Sequence, residues 1–347
     1  MIKKYFSTVF VLIFGVLISS FVFYGYQVVK SPNLLVDQQD RYLIIPEGAT
    51  FQDVQALMKS ERITTNLVAF SFLAKLMDYD KLIKPGKYLI TKNMSNQEAI
   101  RMLRQGAQTP VNITFNNIRL SGDIAEKITN NTSVSIEQFN AALVKFTQQN
   151  DLGFDVNNII GMFIPNTYQV YYSTSAEELI TRMNSEYNAF WNDKRKDQAK
   201  ALGLTQKEVS VLASIVQAES IASDEKKRIA GLYINRLKRG IALQADPTLV
   251  FASGDFTLKR VLNIHKEIDS PYNTYKHRGL PPGPINMPTI STIDAVLNYE
   301  DHSYIYMCAK EDFSGHHNFA TNLQDHNRNA QKYQRALTIE MRKARNQ

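Results

Sequence analysis

The feature that most limits how this chain can fold lies at its start. Tyr5–Val29 carries no charged side chain, and its centre reads VFVLIFGVLISSFVF between Lys3-Lys4 and Lys30. In hydrocarbon every backbone N–H and C=O must find its partner within the segment, so such a run has one solution, an α-helix. A stretch of about twenty apolar residues spans the ~30 Å bilayer core. A cleaved signal peptide would be shorter and would end in a small-x-small site. No convincing site of that kind stands near the end of this run, which favours a retained anchor. The lysines precede the span, so the positive-inside rule puts the N-terminus in the cytoplasm. The expected location is the cytoplasmic (inner) membrane, crossed once, with everything after about residue 30 outside the cytoplasm.

The remaining composition is that of a folded protein. The chain has 347 residues, 44% hydrophobic and 21% charged, enough for two or three domains. The formal charge is +7, but Lys and Arg are scattered and no RNA- or DNA-binding motif occurs, so no nucleic acid partner is expected. An anionic envelope polymer or lipid surface accounts for the charge as well, and so does a plain solvated surface. The single cysteine, Cys308, excludes an internal disulfide. His and Cys show no metal-ligand spacing, and no phosphate loop or nucleophile elbow is present. No metal and no cofactor are expected.

Read in order, Ser31–Gln39 is polar with Pro32, and 31–40 reads as a linker. Arg41–Ile45 reads as a strand, a helix follows from Phe51, and a second covers about Leu67–Met77. A turn and strand over Lys84–Ile90 and a helix over Asn96–Gln105 complete residues 41–108. Strand, helix, helix, strand in this order resembles a LysM module, a small α/β fold that binds N-acetylated glycans; a small α/β spacer with no glycan contact is the equal alternative. The remainder, 109–347, reads as a mixed domain, giving an α+β fold class overall. Within it, Val111–Phe115 and capped helices after Ser121 and Ser135 weakly echo the first module and suggest a second subdomain, 109–155. Glu177–Asn192 is an amphipathic helix and Lys194–Lys200 its charged continuation. A helix runs from Ser223 through Leu237. Ser270–Pro288, SPYNTYKHRGLPPGPINMP, is a long Pro- and Gly-rich loop of the kind that usually carries function. Thr292–Leu297 is a helix, Tyr304–Ala309 a strand, Ser314–Phe319 a turn and Leu323–Arg342 a closing helix.

The chemistry concentrates around Thr205–Ser220, TQKEVSVLASIVQAES. Thr205 and Glu208 form a capping box, and Val209, Leu212, Ile215 and Val216 fall at helical spacing. Glu219 lies on that apolar stripe, while Gln217 points to the opposite side. Desolvation and the negative end of the helix dipole both disfavour its charge, which suits a general acid. The alternative is a structural acid paired with Arg or Lys. Amides and tyrosines of the kind that line a polysaccharide groove follow it, Asn235, Gln244, Tyr272, Asn273 and Tyr275, each of which alone is more readily structural. Thr274 within the same run, and His317 and Asn327 further on, are also expected to contact substrate. Asp246, before Pro247, is a turn-former or a ligand. The Ser270–Pro288 loop is expected to form one wall of a groove over Glu219.

Four strings then carry a resemblance: ASIVQAES, GLYINRLKRGIALQADPTLVFA, SPYNTYKHRGLPPGPINMP and HHNFATNLQDHNRN. In order and spacing over Val209–Tyr333 they are similar to the endolytic murein transglycosylase family (YceG-like, MltG). The anchor and the LysM-like module match too. The resemblance implies a membrane-anchored enzyme that cuts nascent peptidoglycan glycan strands internally between N-acetylmuramic acid and N-acetylglucosamine. It leaves 1,6-anhydro ends and uses a catalytic glutamate that falls on Glu219. It also brings peptidoglycan synthases of elongation or division into view as partners. The family usually has glutamate where Gln217 stands, threonine at Ser220, and acids at Ile160 and Asn166. A non-catalytic glycan-binding scaffold and a muramidase are the competing expectations.

Overall fold

The computed structural model describes residues 2–116, 118–258 and 260–345, with side chains from residue 8 to 343. Met1, Asn346 and Gln347, the ends of the expected 1–30 and 109–347 segments, lie outside the described residues, as do the Lys3 and Lys4 side chains. The chain divides into two compact units. The first holds the N-terminal residues through Ile113 with Thr129–Ser135 and Tyr168–Ser175; the second holds Thr114–Ile128, Ile136–Thr167 and the residues from Ala176 onward. Residues 109–155 are therefore shared between the units and do not form a subdomain of their own.

The first unit opens with helix α1 (Ile2–Lys30), whose apolar stretch Thr8–Lys30 is long enough to cross a membrane. Strands β1 (Pro32–Leu34) and β2 (Arg41–Ile45), helices α2 (Phe51–Ser60) and α3 (Leu67–Leu76), strands β3 (Gly86–Ile90) and β4 (Met94–Ser95), and helix α4 (Asn96–Gln105) follow. β2 and β3 pair antiparallel, from Arg41 opposite Ile90 to Ile45 opposite Gly86. Their alternation turns Leu43, Ile45, Tyr88 and Ile90 into the core. Capping boxes start α2 at Thr50/Asp53 and α4 at Ser95/Glu98, each satisfying N–H groups that the first helical turn leaves free. In both, the bonds from the capping residue hold the carboxyl below its usual range.

The expected linker 31–40 is not a free connector. β1 pairs antiparallel with β4, and Leu34 and Leu35 are fully buried. The reason is a pair of buried asparagines, Asn33 and Asn96, that the polar composition concealed. Asn33 Nδ2 donates to Asn96 Oδ1 at 2.7 Å, Asn66 N donates to Asn33 Oδ1 at 2.7 Å, and Asn96 Nδ2 donates to Val28 O at 2.8 Å. Buried amides satisfied in this way fix the backbone they bridge.

After β5 (Val111–Thr114), which pairs with β6 (Thr167–Val170), come helices α5 (Ser121–Thr129), α6 (Ile136–Gln148) and α7 (Ala176–Phe190). The charged continuation of α7 is a separate helix, α8 (Asp193–Ala201), because the Asn192 side chain caps it by accepting from Arg195 N. Then follow α9 (Gln206–Glu219), α10 (Lys226–Lys238), α11 (Asp246–Ser253), α12 (Ile290–Leu297), β7 (Tyr306–Ala309), β8 (His317–Ala320) and α13 (Leu323–Arg345). The expected turn Ser314–Phe319 is corrected: from His317 it is strand, paired antiparallel with β7. The core of the second unit is α9, packed by α10, α11 and α12. All eight residues from Val209 to Val216 are buried, so α9 is enclosed on every side rather than along one stripe.

Candidate active site

Glu219 is the last residue of α9. Ser220 beyond it is extended, so the helix stops at the carboxylate. Tyr233 on α10 donates from Oη to Glu219 Oε1 at 2.5 Å. Burial pushes the Glu219 carboxyl up to about 7; the nearby Asp246 charge adds to the rise, while the Tyr233 bond and Arg236 oppose it. The Tyr233 hydroxyl is itself raised, by burial first and then by the facing carboxylate. A carboxyl that half-titrates near neutrality can give a proton and take it back.

Two cavities in the second unit meet at this carboxyl. One, of about 970 Å³, is bordered by Glu219, Gln217, Asp246, Phe251, Arg119, Arg260 and Asn286 among others. The other, of about 480 Å³, is bordered by Glu219, Tyr233, Asp246, Tyr275, His317 and Asn327 among others. Glu219 and Asp246 are the carboxylates on either lining, and both border both cavities. Asp246 heads α11 and accepts from Tyr275 Oη at 2.5 Å. Burial and that bond raise the Tyr275 hydroxyl.

The expected glycan-contacting residues separate into two groups. Gln244, Asp246, Tyr275, His317 and Asn327 border the second cavity. His317 is held there by Glu225, which accepts from its backbone N–H at 3.0 Å and contacts its Nδ1 at 2.9 Å. The other four point elsewhere. Asn235 donates to His302 O and Tyr304 O. Asn273 is fully buried; its Nδ2 donates to Lys266 O and Ile268 O, and its Oδ1 accepts from Tyr275 N and Lys276 N. Thr274 is buried between Ala245 N and Thr248 Oγ1. Tyr272 leans on Phe251, ring centres 4.6 Å apart, and donates to Asn157 O. Each bonds a backbone or side chain of its own unit, and none borders either cavity.

The loop Ser270–Pro288 reaches the larger cavity through other residues. Ile285, Asn286 and Met287 line it because α9 pins them: Ser214 Oγ accepts from Ile285 N at 3.0 Å and Ser214 O accepts from Asn286 Nδ2 at 2.9 Å. Gln217 completes the clamp. Its amide nitrogen donates to Asn286 Oδ1 and Met287 O, and its oxygen accepts from Thr289 N at 2.7 Å. Only an amide can do both; an ionised carboxylate offers no donor. Gln217 also borders the larger cavity together with Glu219, so the opposite sides assigned from the helical wheel still meet one space at the helix end. Gly283 needs its missing side chain, since a Cβ there would collide with the Asn157 carbonyl.

Sequence reasoning missed Tyr233 and Arg236. Arg236 is buried and donates to Ile305 O at 2.7 Å, Ala242 O at 3.1 Å and Leu243 O at 2.6 Å. An available signal was their position on the helix after the Glu219 segment, within GLYINRLK. We expect Tyr233→Phe to remove the bond that lowers the Glu219 carboxyl, raising it further. Activity should then persist to higher pH, with the alkaline limb of a kcat/KM profile displaced upward. An unmoved limb would remove Tyr233 from the proton chemistry.

Among the described residues no group of three or more His, Cys, Asp or Glu is placed to hold a metal ion.

Comparison with known proteins places this geometry in a context. The profile of the YceG-like family matches residues 43–332. A protein of Streptococcus pneumoniae named endolytic murein transglycosylase is 29% identical over 360 residues, covering 93% of this chain and 64% of its own. The chain therefore spans 64% of that relative's length. A Bacillus subtilis protein of the same name is 29% identical over 305 residues, 83% of each chain. The crystal structure of a YceG-like protein from Listeria monocytogenes superposes with a TM-score of 0.54 at 25% identity, over 84% of this chain and 98% of that one.

Proposed function

This chain belongs to the YceG-like family, and from that premise we propose that it is a membrane-anchored endolytic lytic transglycosylase of peptidoglycan. The observation that carries the reading is Glu219, raised to about 7 where two cavities meet. Space on both sides of one acid suits cleavage within a strand, with sugars bound to either side of the broken bond. Glu219 protonates the oxygen bridging N-acetylmuramic acid C1 to N-acetylglucosamine, and the C1–O bond breaks. The resulting carboxylate takes the proton of the muramyl C6 hydroxyl as that oxygen bonds to C1. A 1,6-anhydro ring closes, Glu219 is protonated again, and no water is consumed. Such cuts in nascent strands would terminate elongation, with peptidoglycan synthases as neighbours.

A second reading has an observation behind it. Asp246 borders both cavities with Glu219, and a pair of carboxylates is what hydrolysis by a muramidase requires. Mass spectrometry of digested sacculi decides: anhydro ends support the transglycosylase, reducing ends the muramidase, and intact strands a scaffold.

α1 is read as a single-pass anchor in the cytoplasmic membrane, N-terminus inside by the Lys3-Lys4 bias. A reporter fused after Gln347 should be active only outside the cytoplasm; a cytoplasmic signal would overturn the orientation. Residues 41–108 are read as a LysM-like module. Support comes from the antiparallel β2–β3 pair enclosing α2 and α3 in sequence; the shape alone does not bring glycan binding with it, and a spacer role fits it equally.

A further inference from the structure

We propose that α3 lies on the outer surface of the bilayer, its apolar face immersed at the boundary between headgroups and acyl chains. The proposal rests on the reading of α1 as a membrane span. The first observation is an unpartnered stripe. Val68, Phe72 and Leu76 follow one another at four-residue intervals and are 78%, 61% and 70% exposed. The opposite face of α3, with Phe70 and Leu73, is buried in the core of the first unit. Three large apolar side chains in line on one face of a ten-residue helix mark a surface that water does not favour.

The second observation says what covers it. α3 packs directly against α1. Val28, two residues before the end of α1, is itself buried in the core that α3 helps to form, and its carbonyl is bonded by Asn96. The unit therefore begins inside the last turn of the apolar helix, with no tether to carry it away from the membrane. Tyr24 and Tyr26, exposed on α1, mark the depth of the headgroups, where tyrosine concentrates. At a rise of ~1.5 Å per residue, Tyr26 and Val28 are about 3 Å apart along the axis. A helix fastened at that level has a lipid surface within reach of its side chains. Lys75, exposed beside Leu76, can extend its stem along the apolar boundary and leave its ammonium among lipid phosphates.

The test uses the full-length chain in phospholipid vesicles containing brominated acyl chains, which quench tryptophan on contact. The native chain has one tryptophan, Trp191, buried, and sets the baseline. Phe72→Trp should show blue-shifted emission and a loss of fluorescence in brominated against ordinary lipid. Adding Val68→Ser and Leu76→Ser to it should relieve that quenching. Phe14→Trp, in the middle of the span, reports on the anchor separately. Quenching at position 14 with none at position 72 would overturn the α3 proposal while leaving the anchor intact. A blue shift at position 72 without quenching would also overturn it, because protein and not lipid would then cover the stripe. No quenching at either position would overturn the anchor and the proposal together.

Discussion

Glu219→Gln is expected to abolish the appearance of anhydro ends, lowering the cleavage rate by roughly 10²–10⁴-fold, the scale for losing a positioned general acid–base. The fold should survive, because the glutamine keeps the volume and its oxygen still accepts from Tyr233. The same substitution has a signature in stability. A carboxyl raised to about 7 from 4.5 favours a folded state that holds its proton. That contribution is fully present below the unfolded value and is lost as pH rises through about 7. Above that, the native chain carries a poorly solvated charge that the variant lacks, a difference of about 1–3 kcal/mol. The variant should therefore melt a few degrees higher than the native chain at pH 8 and at the same temperature at pH 4, below the unfolded value. Retained cleavage in the purified variant would remove Glu219 from the chemistry. A melting difference that does not grow with pH would remove burial as the cause of its raised pKa.

Arg236→Met should have the largest effect on stability. The guanidinium satisfies the carbonyls of Ile305, Ala242 and Leu243 and lies over the Tyr306 ring at 5.4 Å. Methionine fills much of the space but donates nothing, so three carbonyls in a buried region lose their partner. At about 1–3 kcal/mol for each orphaned group, offset by the relief of burying a charge, the loss should reach about 3–5 kcal/mol. For a domain of this size that lowers Tm by about 10 °C. Activity should fall more than the folded fraction does, because Leu243, Gln244 and the start of β7 border the smaller cavity with Arg236. An unchanged Tm would show that water replaces the guanidinium and that the cavity wall stands without it.

What was legible before any coordinates were those features in which one residue's neighbours in sequence are also its neighbours in space. The apolar run of α1 could only be helical. The box at Thr205/Glu208 is a set of bonds over three residues, and it marked the start of α9. Glu219 could be placed at the end of an apolar helix for the same reason.

The tertiary structure decided the rest. Asn273 and Gln244 look alike as sequence, two polar residues near turns, yet Asn273 is sealed inside its loop while Gln244 borders a cavity. Asn273 bonds only within its own loop, to Lys266 O, Ile268 O, Tyr275 N and Lys276 N, but the loop's closed path, which brings those groups around it, is set by tertiary packing. The linker 31–40 failed on the same ground: Asn33 finds its bonds at Asn66 and Asn96, far along the chain. Tyr233 meets Glu219 only because α10 packs on α9. Sequence by itself determined where the acid stands and that its helix is apolar. Only the packed fold decided how far burial raises that acid and which residues share its cavities, because desolvation and long-range hydrogen bonds depend on what surrounds a group in three dimensions.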